Sequence, residues 1–467
     1  MLPFRDTSEI RLPQSPLEQV IGQEHVLEIA SIVARQKRHL LLVGPPGTGK
    51  SFIANTISSI LPRPTQQVAV LANPENPDRP ILEVKNIEEI ERERRERAKA
   101  RLLDPRDAPY YVSEKLGFRC RKCGTISDPD SNICLYCGAE KYRKQRNLED
   151  VVAEMPRLNR DDKILYKRTG PDGKEEEVFY ERVGSKIKVY KNTGKNGMEE
   201  LRKVIVPLER KVFVQATGAS ESELLGDVRH DPYGGHPNIG IPPHERVIPG
   251  AVHEAHEGVL FIDELSTLGE LQRHLLTAMQ EKRFPITGRN STSTGAAVRV
   301  DNVPCDFILV GAVNINDVQS LLPPLRSRII GSGYEVLLNT VMPDTEQNRM
   351  KMCQFIAQEI VKAGNIPHAT AEACERIISE ARLRARQIDG KDGLTLRLRE
   401  LSGIIKMAGD IAIIEGEPYI THEHIKRAVI RARSIEEQLL DSYGSAYRAG
   451  MSDYGQKRRA GYSSEVR

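Results

Sequence analysis

Residues 40–51, Leu-Leu-Leu-Val-Gly-Pro-Pro-Gly-Thr-Gly-Lys-Ser, limit the fold of this chain more than any other stretch. Four apolar residues ahead of a glycine-rich turn read as a buried strand. The turn has the G-x-x-x-x-G-K-[ST] spacing and aims backbone N–H groups at a β/γ-phosphate pair. Lys50 adds a point charge to those phosphates, and Ser51 adds a hydroxyl for Mg²⁺. Gly44, Pro45, Pro46, Gly47, Thr48, Gly49, Lys50 and Ser51 thus form the candidate triphosphate cradle. Ser51-Phe52-Ile53-Ala54-Asn55 opens a helix whose positive end faces the same anions.

The rest of the chain supplies the context such a loop needs. Strand and helix patterns alternate from 250 to 340: Val259–Asp263, the helix Leu268–Lys282, Asp306–Ala312, a helix starting at Leu321–Ser327, and Gly333–Leu338. Alternation of this kind implies an α/β fold, a parallel sheet with helices on both faces. The apolar strand Val259–Ile262 ends in Asp263-Glu264. Asp263 is placed to hold Mg²⁺ through water, and Glu264 to polarise the attacking water. Asn314 closes the strand Phe307–Val313 and is placed to orient that water. Arg326 and Arg328 sit on one turn before the last strand, where an arginine can reach a neighbouring subunit's γ-phosphate. Arg397 and Arg399 lie in the helical C-terminal part, where a basic side chain can close over the nucleotide. Helical spacing recurs over 345–363, 368–387, 395–415 and 421–440, with Thr421 an N-cap and His424 at N3.

Between these halves lies different material. Residues 15–36 predict a turn and an amphipathic helix, and 66–71 a second strand; the composition then changes near 78 and changes back near Lys203. The intervening stretch reads as an insertion with a mixed-charge helix over 86–103 and a β-hairpin and more over 163–190. Cys120-x2-Cys123-x10-Cys134-x2-Cys137 has the spacing of a closed, structural Zn²⁺ site, with Gly124 and Gly138 after the two pairs. Basic residues surround it (Arg119, Arg121, Lys122, Lys141, Arg143, Lys144, Arg146). Cys305, Cys353 and Cys374 read as core thiols. The expected division is 1–78 and 203–342 for the nucleotide core, 79–202 for the insertion, 343–440 for a helical lid and 441–467 for a flexible tail.

Composition excludes some classes. With 68 basic and 65 acidic residues the formal charge is +3, so no global polycation argument for nucleic acid exists. No apolar stretch approaches the ~20 residues that span a bilayer, and the N-terminus lacks a signal-peptide core, so the expected location is cytoplasmic. Tyr233-Gly234-Gly235, in a Gly/Pro-rich loop, could grip an extended polypeptide in a ring's central pore.

Gly44–Ser51, Asp263-Glu264, Asn314 and Arg328 ahead of a helical lid resemble the AAA+ ATPases. The runs Ala216–Glu221, Leu225–Pro232, Gly258–Glu264, Leu276–Lys282, Phe284–Gly288, Leu325–Ile329 and Leu394–Leu401 resemble, more narrowly, the ATPase module of archaeal B-type Lon proteases. The resemblance covers about 15–78 and 203–440. It implies ATP and Mg²⁺ at Lys50, Ser51 and Asp263, with Glu264 as the water-activating residue and Asn314 as the sensor. It favours Arg328 over Arg326 as the intersubunit arginine, favours Arg399 over Arg397 as the lid sensor, and makes Ile21-Gly22 the adenine-pocket segment. It further implies a homo-oligomer, a hexameric ring acting on unfolded or assembled protein. Two departures qualify it. The family carries a pair of membrane-spanning helices where this chain has its cysteine module, and a Ser-Lys peptidase domain after the lid where this sequence stops; no Gly-Pro-Ser-Ala-Gly-like nucleophile segment is found. The leading expectation is therefore a protein-remodelling ATPase working alone or with a separate peptidase subunit. The alternatives are a nucleic-acid-linked motor that reads through the zinc ribbon, and a nucleotide-gated adaptor, which the intact Glu264 argues against.

Overall fold

The computed structural model describes residues 2–98, 101–141, 163–169, 175–191, 202–231, 240–288, 298–433 and 438. The loop Tyr233-Gly234-Gly235, the basic residues Arg143, Lys144 and Arg146, and the tail from 441 lie outside the described residues.

After two short helical turns, Thr7–Glu9 and Pro16–Gln19, come helix α1 (Glu24–Gln36), which a left-handed Lys37 stops, then β1 (His39–Val43) and α2 (Lys50–Ile60). Strands β2 (Gln66–Leu71) and β3 (Ile81–Asn86) follow. The charged helix α3 (Ile87–Ala98) is shorter than the expected 86–103. It ends early because Arg101–Leu103 is a strand, β4, paired with Ile187–Val189. The hairpin pattern becomes β5 (Lys163–Thr169), β6 (Glu175–Val183) and β7 (Lys186–Lys191), so the insertion holds a four-stranded sheet ordered β4-β7-β6-β5. Apolar alternation puts Val178, Tyr180, Ile187 and Val189 on one face, packed on Val112, Leu116 and Phe118 beside the cysteine module.

The core resumes with β8 (Arg202–Val206), β9 (Phe213–Thr217), β10 (Val259–Asp263), α4 (Leu271–Glu281), β11 (Ile308–Val313), α5 (Pro323–Ser332) and β12 (Gly333–Leu337). A five-stranded, wholly parallel sheet has the order β12-β1-β11-β10-β9. The pleat of β1 divides its residues: Leu40 and Leu42 face α1 and α2 (Val26, Val33, Ile53, Ile57), while Leu41 and Val43 share the opposite core with α4 and α5 (Leu275, Ala278, Leu325, Ile329). Each such fully buried aliphatic side chain contributes about 1.5–3 kcal/mol.

Residues 66–71 form a strand as expected, but outside this sheet. β2 pairs antiparallel with both β3 and β8 in a separate three-stranded sheet, and β9 occupies the outer position of the parallel sheet. The change of composition at 78 thus falls between two hydrogen-bonded strands, Gln66 lying opposite Asn86 and Leu71 opposite Arg202. Lys85 bonds Glu93 of α3 at 2.9 Å and Glu83 at 3.3 Å, fastening α3 back onto this sheet.

Four helices follow among the described residues: α6 (Glu346–Ala363), α7 (Ala371–Asp389), α8 (Leu398–Glu415) and α9 (His422–Arg431). Thr345 and Thr370 cap α6 and α7 through side-chain oxygens, left-handed glycines (Gly364, Gly390, Gly416) end α6–α8, and Thr421 and His424 form the capping box of α9. α8 starts at 398 and not 395 because Leu394–Thr395 pairs with Val341–Met342. Ile21 packs into the lid core with Met342, Phe355 and Leu396. No helix of the described residues is long and apolar enough to cross a membrane.

Candidate functional site

β1 ends at Val43, and the turn to α2 is made by two left-handed glycines, Gly47 (φ 82°) and Gly49 (φ 86°). A Cβ on Gly47 would stand 3.1 Å from Cβ of Arg399, so the loop and the lid helix α8 touch here. Lys50, 9% exposed, donates to the carbonyls of Gly44 (2.8 Å) and Pro45 (3.0 Å), and Thr48 Oγ1 donates to Pro45 O at 2.9 Å. Burial holds the Lys50 amine below the usual lysine range; Asp263 and Glu264 oppose that shift, and Arg399 adds to it.

A cavity of about 610 Å³ opens over this loop. Pro46, Gly47, Thr48, Gly49, Lys50 and Ser51 line it together with Asp263, Glu264 and Asn314, and Arg399 and Ile21 line it too. Residues more than 370 positions apart in sequence are thereby brought to one surface. Gly22, Gly44, Pro45 and Arg328 are not on it. Gly44 and Pro45 hold Lys50 from behind, and Gly22 (φ 68°) lies against Leu396, whose Cδ2 a Cβ there would meet at 2.5 Å.

Glu264 sits at φ 51°, a left-handed conformation that non-glycine residues seldom adopt. Its N–H donates to Asp263 Oδ1 at 3.1 Å, and its carbonyl accepts from Thr267 N and Oγ1, both at 2.8 Å. The strain turns Glu264 out of the strand direction and into the cavity wall beside Asp263. Asn314 caps the turn Ile315–Ser320 and donates to Asp317 at 3.3 Å.

The paired arginines separate by their contacts. Arg326 is bound to Glu335 at 2.6 Å and Arg397 to Asp389 at 2.9 Å. Arg328 is exposed and has no acidic partner among the described residues, and Arg399 lines the cavity. The sequence reading passed over one group of cavity residues: Phe355, Gln358, Glu359 and Lys362 of α6, with Ser402 and Lys406 of α8. Their signal is polar residues at i, i+3 and i+4 on a helix otherwise buried in the lid.

The four cysteines converge. Their Sγ atoms all lie within 4.8 Å of one another, Cys120 to Cys137 at 3.6 Å and Cys123 to Cys134 at 3.7 Å. Four sulfurs ~2.3 Å from a tetrahedral ion stand ~3.8 Å apart, which these two pairs match, so the cluster suits Zn²⁺. Both knuckles use one turn twice: Gly124 N–H bonds Cys120 O at 2.9 Å and Gly138 N–H bonds Cys134 O at 2.8 Å. Both glycines have positive φ (74° and 68°), which is why glycine follows each pair.

Comparison with known proteins agrees with this geometry. The family model described as "Magnesium chelatase, subunit ChlI" matches residues 16–95 and 239–324. A Lon protease homolog of Methanothermobacter thermautotrophicus is 51% identical, covering 98% of this chain and 96% of the relative. A second homolog, from Thermoplasma volcanium, is 52% identical over 98% of this chain and 96% of its own length. The archaeal Lon protease of Thermococcus kodakarensis is 40% identical over 94% of this chain, which spans 62% of that longer protein. With its phosphate loop and acid pair on a parallel sheet under a helical lid, the chain belongs to the Lon protease homologs, a family built on the AAA+ ATPase fold.

Proposed function

We propose that the chain is a Mg-ATP-driven motor that works as a homo-oligomeric, hexameric ring and remodels or unfolds protein, alone or with a separate peptidase subunit. The observation that supports this most is the single cavity wall shared by Lys50, Ser51, Asp263, Glu264, Asn314 and Arg399. In this reading the loop N–H groups and Lys50 bind the β/γ-phosphates, and the Ser51 hydroxyl and Asp263 carboxylate are the hard oxygen donors suited to Mg²⁺. When bound, that ion offsets charge on the phosphate oxygens. Glu264 orients and deprotonates the attacking water, Asn314 positions it, Arg399 senses the γ-phosphate from the lid, and Arg328 serves a neighbour's site. The cysteine module carries one structural Zn²⁺, and the chain divides as 1–78, 79–202, 203–342, 343–440 and 441–467.

A second reading, a nucleic-acid-linked motor, is favoured by the tips of the two knuckles: Arg121 and Lys122 are exposed on one, and Leu135 (85%) and Tyr136 (80%) on the other. One assay separates the two. The ATPase rate of the purified chain is measured with unfolded casein and with single-stranded DNA. Protein remodelling predicts stimulation by casein; stimulation by DNA alone would transfer support to the second reading.

A further inference from the structure

The lid helix α6 faces the N-terminal segment with successive turns. Lys351 bonds Glu24 at 2.5 Å, and one turn on Gln354 Nε2 donates to the carbonyl of Glu18 at 3.0 Å. On the next turn the pattern stops. Gln358 lines the nucleotide cavity, and its buried Nε2 has no hydrogen-bond partner. Its neighbour Glu359 is fully engaged, by Ser402, by Lys406 at 3.6 Å and by Lys362 at 3.9 Å. Among the described residues, Gln358 is thus the buried polar side chain of the cavity lining left without a partner. It shares the cavity lining with Val20, Ile21 and Phe355, which supply apolar surface.

A buried amide donor left unpaired costs about 1–3 kcal/mol, so such a group calls for a partner that arrives from outside. The surroundings suit a flat aromatic heterocycle: apolar side chains for its faces, and one amide for its edge. An amide offers a donor beside an acceptor. Adenine offers the complementary pair on both its edges, N6–H beside N1 and N6–H beside N7. The geometry points to Gln358 as the residue that reads the nucleobase, its Nε2 donating to an adenine ring nitrogen while its carbonyl accepts from N6–H. This rests on the nucleotide reading given above and deepens it by assigning the base specificity to one lid side chain.

The test is calorimetric titration of the full chain with ATP and with inorganic tripolyphosphate, which carries the phosphates and no base. Gln358→Leu is compared with wild type. Expected are about tenfold weaker ATP binding, unchanged tripolyphosphate binding, and a ligand-free melting temperature equal to or above wild type, because leucine of similar size removes an unpaired buried donor. ATP affinity within twofold of wild type overturns the assignment, as does an equal loss for both ligands, which would make Gln358 a scaffold residue. Gln358→Glu keeps the shape and loses the donor, and should weaken ATP alone; if it binds ATP as wild type does, the assignment falls even where the leucine variant folds poorly. A wild-type chain that binds neither ligand would instead sink the nucleotide reading and this inference with it.

Discussion

Arg397 and Arg399 are two residues apart and should fail in different ways. Arg397 is tied to Asp389, whose side chain is 7% exposed, so Arg397→Ala strands a buried carboxylate and should cost roughly 1–3 kcal/mol in urea unfolding. Arg399 lines the cavity and has no acidic partner among the described residues, so Arg399→Ala should leave the urea midpoint in place and lower ATP turnover. In the same assay Lys50→Ala should abolish nucleotide binding, whereas Glu264→Gln should bind ATP and not hydrolyse it; wild-type turnover by Glu264→Gln would dismiss Glu264 as the water-activating residue. His39 adds a pH effect. Its Nδ1 accepts from Leu309 N–H at 3.1 Å, which requires a neutral ring, and burial first, then Arg328, lowers its pKa to about 4. The unfolded chain therefore binds this proton first. Stability is unaffected by it above the ordinary histidine pKa and falls as pH drops from about 6.5 to about 4, by about 3 kcal/mol in all. His39→Gln should flatten that part of a stability-against-pH curve. At this scale the sequence identified residue types well where spacing is rigid, as in the phosphate loop and the cysteines. Which arginine of each pair is free depended on Glu335 and Asp389, partners that no local pattern announces.

At the scale of elements, the existence of the C-terminal helices was legible, with the Thr421–His424 cap and the ends at 363 and 415, because capping acts locally; the starts at 371 and 398 were not. Nor was strand pairing. Residues 66–71 read as a second strand, but the apolar run Val68–Leu71 states only that a strand exists, and the partner is set by which edge is available. The same limit explains α3, whose charged pattern runs past the point where β7 captures residues 101–103. Gly22 links two elements in one contact. Gly22→Ala must hold a left-handed φ and displace Leu396, so it should destabilise the chain by about 1–3 kcal/mol and also weaken ATP binding by moving the segment that carries Arg399. The cysteine module should contain one zinc per chain by metal analysis. Removing it with a chelator should expose Phe118 and Val112 to proteolysis near 110–140 while ATP binding at the distant loop persists; cleavage that ignores the chelator would argue against a structural ion.

For the whole molecule, the proposed ring makes a concentration-dependent prediction. An exposed Arg328 without an acidic partner contributes nothing to its own cavity, so ATPase activity per chain should rise with protein concentration. Arg328→Ala and Lys50→Ala chains, each inactive alone, should regain part of the activity when mixed, since each can supply what a neighbour lacks. Additive, unrestored activity would remove the intersubunit role. The parallel sheet and helical lid were readable from periodicity; the joining of insertion to core was not, since it rests on register. β3 leaves the three-stranded sheet opposite Gln66, and β8 joins it opposite Leu71, running the same way on the far side of β2. The chain must be carried back ~17 Å along the strands, and α3, 12 residues long at ~1.5 Å per residue, is long enough to do so. The inserted residues 101–201 are then cargo that enters and leaves through one three-stranded sheet. A chain in which a short Gly-Ser bridge replaces that cargo should still fold and hydrolyse ATP, which makes this junction a socket where unrelated modules can be exchanged without redesigning the engine.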